Sequence, residues 1–166
     1  MEKFQQDLPA KQLLEMYSDS VFRIAYARTQ NHADAEDITQ NVFLKYIGAD
    51  KKFSSEEHRK AWILRVAVNC ANDFVKSAHY RHRANSDNIE NIGQGAEPSY
   101  ELEEKSEVYY AVQSLPEKYR VPIHLFYYED MSIAQIAAVT KQKEATVRSQ
   151  LTRARDMLRE ILKESI

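Results

Sequence analysis

The chain has 166 residues, 43% hydrophobic and 29% charged, with a net charge of −2. That is enough apolar content for one packed domain or two small ones, and no stretch approaches the roughly 18 apolar residues of a membrane span. The first 20 residues lack the basic-then-apolar pattern of a secretion signal, and the lone Cys70 excludes an internal disulfide, so a reduced, cytoplasmic setting is expected.

Only three glycines occur, against many Ala, Leu, Glu, Lys, Arg and Gln, so helix is the default and an all-α fold is expected. From about Lys11 to Thr29, Leu14, Tyr17, Val21, Ile24 and Ala25 recur at helical spacing. A second helix is predicted from about Ala33 to Ile47, stopping near Gly48. On its wheel Ala35, Ile38, Thr39, Val42 and Tyr46 face the core, while Asp37, Gln40, Asn41 and Leu44 cluster on the opposite side. An acidic and polar patch around an exposed leucine suits docking onto a basic protein helix. A merely solvated face would have the same composition. A metal site from Asp34, Glu36 and Asp37 is disfavoured, because Glu36 points about 100° away from Asp37 and ligands must converge.

A third helix spans about Glu56 to Tyr80, behind the cap candidates and acidic groups of Ser54–Glu57. It carries Trp62, Arg65, Val66, Asn69 and Asp73, followed by Lys76, Arg81 and Arg83. Residues 51–83 hold eight basic groups against three acidic ones, a candidate contact with a polyanion. Trp62 and Val66 read as core. By composition Asn69 is an exposed or capping residue, although an amide can also read the edge of an unstacked base.

The helical pattern then fails. Residues 84–107 carry seven acidic groups and one basic one, and the stretch from Asn85 to Tyr100 has only Ile89 and Ile92 as large aliphatics. Such a segment cannot bury enough apolar surface to offset the entropy of ordering it. The expected organisation is therefore a domain over 1–83, a flexible acidic linker over 84–102 and a second domain over 103–166.

In the second domain, helices are predicted from Glu103 to Ser114, from Pro116, and from Pro122 through Tyr127. Ser132 and Gln135 form a capping box that opens a helix from Ile133 to about Val139, and a last helix runs from Glu144 to about Lys163. Ser132 to Arg155 is thus a helix-turn-helix. Val147, Leu151, Ala154, Leu158 and Ile161 form an inward stripe; Arg148, Ser149, Thr152, Arg155 and Arg159 face out, with Arg153 to one side. Arg suits guanine edges and phosphates, and Ser and Thr are adaptable partners, as in major-groove recognition helices. A solvated basic face looks similar, but the capped helix and turn ahead of it favour DNA.

Leu115-Pro116-Glu117-Lys118-Tyr119-Arg120, Met131 to Ala137, and Thr146-Val147-Arg148-Ser149-Gln150-Leu151-Thr152-Arg153-Ala154-Arg155 closely resemble the promoter-binding C-terminal domain of extracytoplasmic-function sigma factors. The resemblance implies recognition of the minus-thirty-five promoter element by Arg148, Ser149, Thr152, Arg153 and Arg155. The turn departs from the pattern: Lys141 and Gln142 stand where the family often has Gly and an apolar residue. A non-glycine left-handed residue there costs about 1 kcal/mol. Asp34 to Phe43 resembles the family's DAEDxxQxxF signature, which implies that Asp37, Gln40, Asn41 and Leu44 dock onto core RNA polymerase. Asn41 replaces the usual Glu, making the patch less acidic. Trp62 to Asn69 resembles the element that melts and holds the minus-ten strand. There the resemblance implies a flipped-base pocket lined by Phe53 and Asn69, with Arg65, Lys76, Arg81 and Arg83 along the phosphates. It also implies core RNA polymerase, promoter DNA and an anti-sigma factor as partners.

No Gly-rich phosphate loop, activated nucleophile or carboxylate pair is present, and His79 and His82, near Cys70, lack zinc-ligand spacing. Catalysis, cofactor and metal are therefore not expected. Two other readings stay open at this level: a helix-turn-helix regulator that binds duplex DNA without polymerase, and a protein-binding adaptor with incidental basic helices.

Overall fold

The computed structural model describes the backbone of residues 4–84 and 106–164, and the side chains of 4–77 and 106–163. Among the described residues there are seven helices and no strand. The chain divides into two compact units, Met1–Ala96 and Glu97–Ile166. The expected linker, 84–102, lies almost wholly outside the described residues.

The first unit holds α1 (Ala10–Thr29), α2 (His32–Ala49) and α3 (Glu56–Ala84), each packed against the other two. Leu13, Tyr17, Val21, Phe22 and Ile24 of α1 meet a core completed by Ile38, Val42 and Phe43 of α2 and Ile63, Leu64 and Ala67 of α3. The stripe read for α1 starts one residue off: Leu13 is buried and Leu14 is exposed. Helical angle alone does not say which residue meets a partner at the end of a helix. Asn31 caps α2 by accepting from the Asp34 N–H at 2.9 Å. The helix ends at Ala49, next to Gly48, and turns at Asp50 with φ 50°. Ser55 starts α3, its hydroxyl accepting from the His58 N–H at 3.1 Å, while the His58 ring accepts from the Ser54 N–H at 3.0 Å.

The second unit holds α4 (Glu107–Gln113), α5 (Glu117–Tyr127), α6 (Ile133–Thr140) and α7 (Glu144–Glu164). The last helix packs against all three others. Pro122 does not begin a helix, as the sequence reading expects, but lies inside α5. It is buried there, so packing of its ring offsets the hydrogen bond it cannot donate. The LPEKYR segment is the α4–α5 junction. Leu115 and Tyr119 enter the core, and Arg120 donates to the Leu115 carbonyl at 2.8 Å. The capping box of Ser132 and Gln135 forms in both directions.

Candidate functional site

The outward face of α2 carries the docking candidates. Asp37, Gln40, Asn41 and Leu44 are all exposed, and Thr39, Val42 and Phe43 on the other face are buried. Leu44 is 65% exposed and Ile47 66%. Three residues apart, the two side chains make an apolar strip beside the polar ones. Ile47 lies outside the patch expected from the sequence. The helix runs two residues further, to Ala49, and the three-residue spacing from Leu44 puts the Ile47 side chain on the same face.

The promoter-strand candidates come from α3 and the loop before it. Trp62, Arg65, Val66, Asn69, Asp73 and Lys76 fall on one arc of α3, the first, third and fourth half-buried and the others exposed. Lys51 and Lys52 are exposed in the loop. Between them and α3, Phe53 turns inward and is only 5% exposed. Its ring stacks on Tyr46 at 5.9 Å and meets the edges of Trp62 at 5.8 Å and His58 at 5.3 Å. Phe53 is therefore the floor of an aromatic cluster under this face. On this face Arg65 and Lys76 are exposed and Asn69 is half-buried. Arg81 and Arg83 lie in α3, but their side chains are outside the described residues, as are those of His79 and His82.

In the helix-turn-helix, Val147, Leu151 and Ala154 are buried, and Arg148, Ser149, Thr152 and Arg153 are exposed. Leu158 and Ile161 are half-buried at the far end of the stripe. Arg148 makes a weak contact to Glu144 at 3.8 Å, with both side chains mostly in solvent. Arg155 is placed differently from the other arginines. Its Nε donates to the Tyr127 hydroxyl at 3.1 Å, and its guanidinium covers the Phe126 ring at 5.1 Å. It ties α7 to α5.

The turn is built as the departure from the family pattern requires. Lys141 is left-handed, with φ 57° and ψ 45°, and the Gln142 N–H returns to the Ala137 carbonyl at 3.0 Å. Gln142 and Gln150 then exchange two amide hydrogen bonds, at 3.1 and 3.0 Å. This pair clips the turn to the exposed helix. Two Gln eight residues apart carry no periodic signal, so sequence reasoning missed it.

Among the described residues, no three His, Cys, Asp or Glu side chains group as a metal site, and no helix is long and apolar enough to cross a membrane. The sigma-70 region 2 profile matches residues 13–81, and the sigma-70 region 4 profile matches residues 105–158. The chain is similar to the RNA polymerase sigma factor SigV of Bacillus subtilis (strain 168), with 26% identity covering 90% of this chain and 89% of the relative. It is 30% identical to the ECF RNA polymerase sigma factor SigC of Mycobacterium tuberculosis (strain CDC 1551 / Oshkosh), over 75% of this chain and 68% of that one. Its fold is shared by the sigma factor RpoE from Bartonella quintana, solved with the anti-sigma factor NepR, at a TM-score of 0.68 and 24% identity over 93% and 96% of the two chains. With both sigma-70 regions matched in order on two helical units, and SigC aligned across them, the chain belongs to the sigma-70 family as an extracytoplasmic-function RNA polymerase sigma factor.

Proposed function

We propose that this sigma factor divides promoter recognition between its two units, with domain limits near 1–83 and 103–166. The α2 face of Asp37, Gln40, Asn41 and Leu44, widened by Ile47, docks onto core polymerase. The arc of Arg65, Asn69 and Lys76 on α3, extended by Arg81 and Arg83, holds the minus-ten strand. Phe53 supports that face from beneath. Binding the single strand more tightly than the duplex then favours melting, because a ligand shifts an equilibrium only through its differential affinity. Arg148, Ser149, Thr152 and Arg153 read the minus-thirty-five element, and Arg155 holds the helix that presents them. The chain acts as an initiation factor rather than an enzyme, in the cytoplasm with the polymerase.

The observation that carries this reading is the pairing of two unlike surfaces on one three-helix unit. A polar and apolar face on α2 suits a protein partner, and a half-buried, partly basic face on α3 suits a nucleic acid. Run-off transcription with core polymerase tests it. Asp37→Lys is expected to lower core affinity at least tenfold, and Arg148→Glu to abolish selectivity for the upstream element while core binding persists. Core binding by Asp37→Lys at the wild-type level would refute the docking assignment. We further propose that an anti-sigma factor controls the chain, as one accompanies the Bartonella quintana relative. Native co-purification without such a partner counts against it.

A further inference from the structure

We propose that residues Phe4–Leu8 form a strap that sets the shape of the Lys51–Ser55 loop for promoter-strand recognition, with Gln6 and Arg59 as positioning residues. The inference rests on the minus-ten reading of α3 and its preceding loop.

The geometry is specific at both ends of the strap. The Gln6 side chain mimics a strand neighbour: its Nε2 donates to the Phe53 carbonyl at 2.7 Å, and its Oε1 accepts from the Phe53 N–H at 2.5 Å. One side chain thus satisfies both backbone groups of the residue that must turn inward. Arg59, on the first turn of α3, grips the strap from the other side. Its Nη2 donates to the carbonyls of Gln5 at 2.6 Å and Gln6 at 2.5 Å, and its Nη1 donates to Glu56 at 2.5 Å. Its guanidinium stands 4.9 Å from the Phe4 ring and 5.5 Å from the Phe53 ring. Arg59 is wholly buried, and Tyr17 of α1 donates to the same Glu56 carboxylate.

These contacts fix which way each loop residue points. With its backbone held by Gln6, Phe53 enters the ring cluster of Tyr46 and Trp62. Its neighbours Lys51, Lys52 and Ser54 are left facing solvent. The strap also borders an open cavity of about 170 Å³, with Gln6, Asp7 and Leu8 facing Tyr46, Asp50 and Lys51. The loop is therefore an exposed element held in one shape by a segment 47 residues away in sequence. A surface loop left without such contacts samples many shapes, and a strand that selects one of them binds more weakly by that fraction.

The test uses holoenzyme assembled with the full chain and single-stranded oligonucleotides carrying the minus-ten sequence, matched or with each base replaced in turn. Gln6→Ala is expected to weaken matched-strand binding five- to tenfold and to flatten discrimination among bases, with core affinity unchanged within twofold. Gln6→Glu keeps the acceptor for the Phe53 N–H but sets an oxygen against its carbonyl, and should act alike. A fluorescence melt on the single Trp62 checks that each variant is folded at the assay temperature; where Ala is not, Glu decides. Asn69→Ala is the reference. If it loses strand binding while both Gln6 variants keep wild-type affinity and discrimination, the strap is only structural and the inference fails. If Asn69→Ala also binds as wild type, the minus-ten reading fails and takes the inference with it.

Discussion

Arg59 shows how one residue can decide the stability of a small helical unit. A buried guanidinium is costly unless its donors are met, and here Glu56 and the strap carbonyls meet those of the two Nη atoms, while the buried Nε makes no hydrogen bond. Replacing it with Met keeps much of the stem but leaves the two strap carbonyls without their donor and Glu56 with Tyr17 and solvent alone. Arg59→Met should destabilise the first unit by about 2–4 kcal/mol, in the range for removing one partner of a buried charged network. Urea unfolding followed through Trp62 fluorescence reads this unit alone, since the chain has no other tryptophan. Tyr17 in this pocket and Cys70 elsewhere in the core give the unit a pH limit. Burial, then the hydrogen bond to Glu56, pushes the Tyr17 phenol above its usual 10.0, and burial pushes the Cys70 thiol above 9.0. Both groups are neutral acids in the folded unit, and the unfolded chain ionises them first. Stability from this source is therefore complete below about pH 8 and falls as pH rises through 9 and 10. Melting temperatures followed through Trp62 from pH 8 to 10.5 should drop, and Tyr17→Phe should flatten the decline. A melting temperature constant across that range would refute it.

At the level of elements, the turns tell more than the helices. Gln30, Asp50, Asp130 and Lys141 all take positive φ without being glycine. Each such residue is strained, because its Cβ crowds the backbone in the left-handed region. Lys141→Gly should therefore stabilise the second unit by about 0.5–1 kcal/mol, net of the flexibility Gly adds to the unfolded chain. The Gln142–Gln150 clip survives the change, so affinity for the upstream element should stay within twofold. Thermal unfolding by circular dichroism and a duplex-binding titration check both halves, and a destabilised variant would disprove the strain. Such turns are also where sequence reading ran out. The stripe Val147, Leu151, Ala154 and the exposed face Asp37, Gln40, Asn41, Leu44 were legible, because burial on a helix follows its period. Pro122 locally favours a helix start, and packing inside α5 overrides that preference. The resemblance implies that Phe53 lines a base pocket; its burial, and its contacts with Gln6 at a separation of 47 residues, follow no period. Arg155 looked like its neighbours on the wheel, and only the position of Tyr127 on another helix sets it apart.

For the molecule as a whole, the question is which cations remain available to DNA. Net charge does not answer it, since the chain is slightly acidic overall while residues 51–83 and 141–159 each carry an excess of basic groups. A cation that neutralises a phosphate releases condensed counterions, and each such contact steepens the fall of log K with log salt by about 0.9 on duplex DNA. A cation already engaged inside its own fold releases fewer. Arg148 and Arg153 are exposed on α7, whereas Arg155 is half-buried against Phe126 and Tyr127. Arg153→Ala should accordingly reduce the salt slope of holoenzyme binding to a duplex upstream element by about 0.9. Arg155→Ala should leave the slope nearly unchanged and instead lower the melting temperature of the second unit, since the loss falls on the α5–α7 contact. Tyr127→Phe, which removes the hydroxyl that Arg155 donates to, should reproduce part of that thermal loss with wild-type salt dependence. Titrations between about 50 and 200 mM salt separate the two effects. Equal slope changes for Arg153→Ala and Arg155→Ala would mean that Arg155 leaves α5 on binding, and the division of roles along α7 would have to be abandoned.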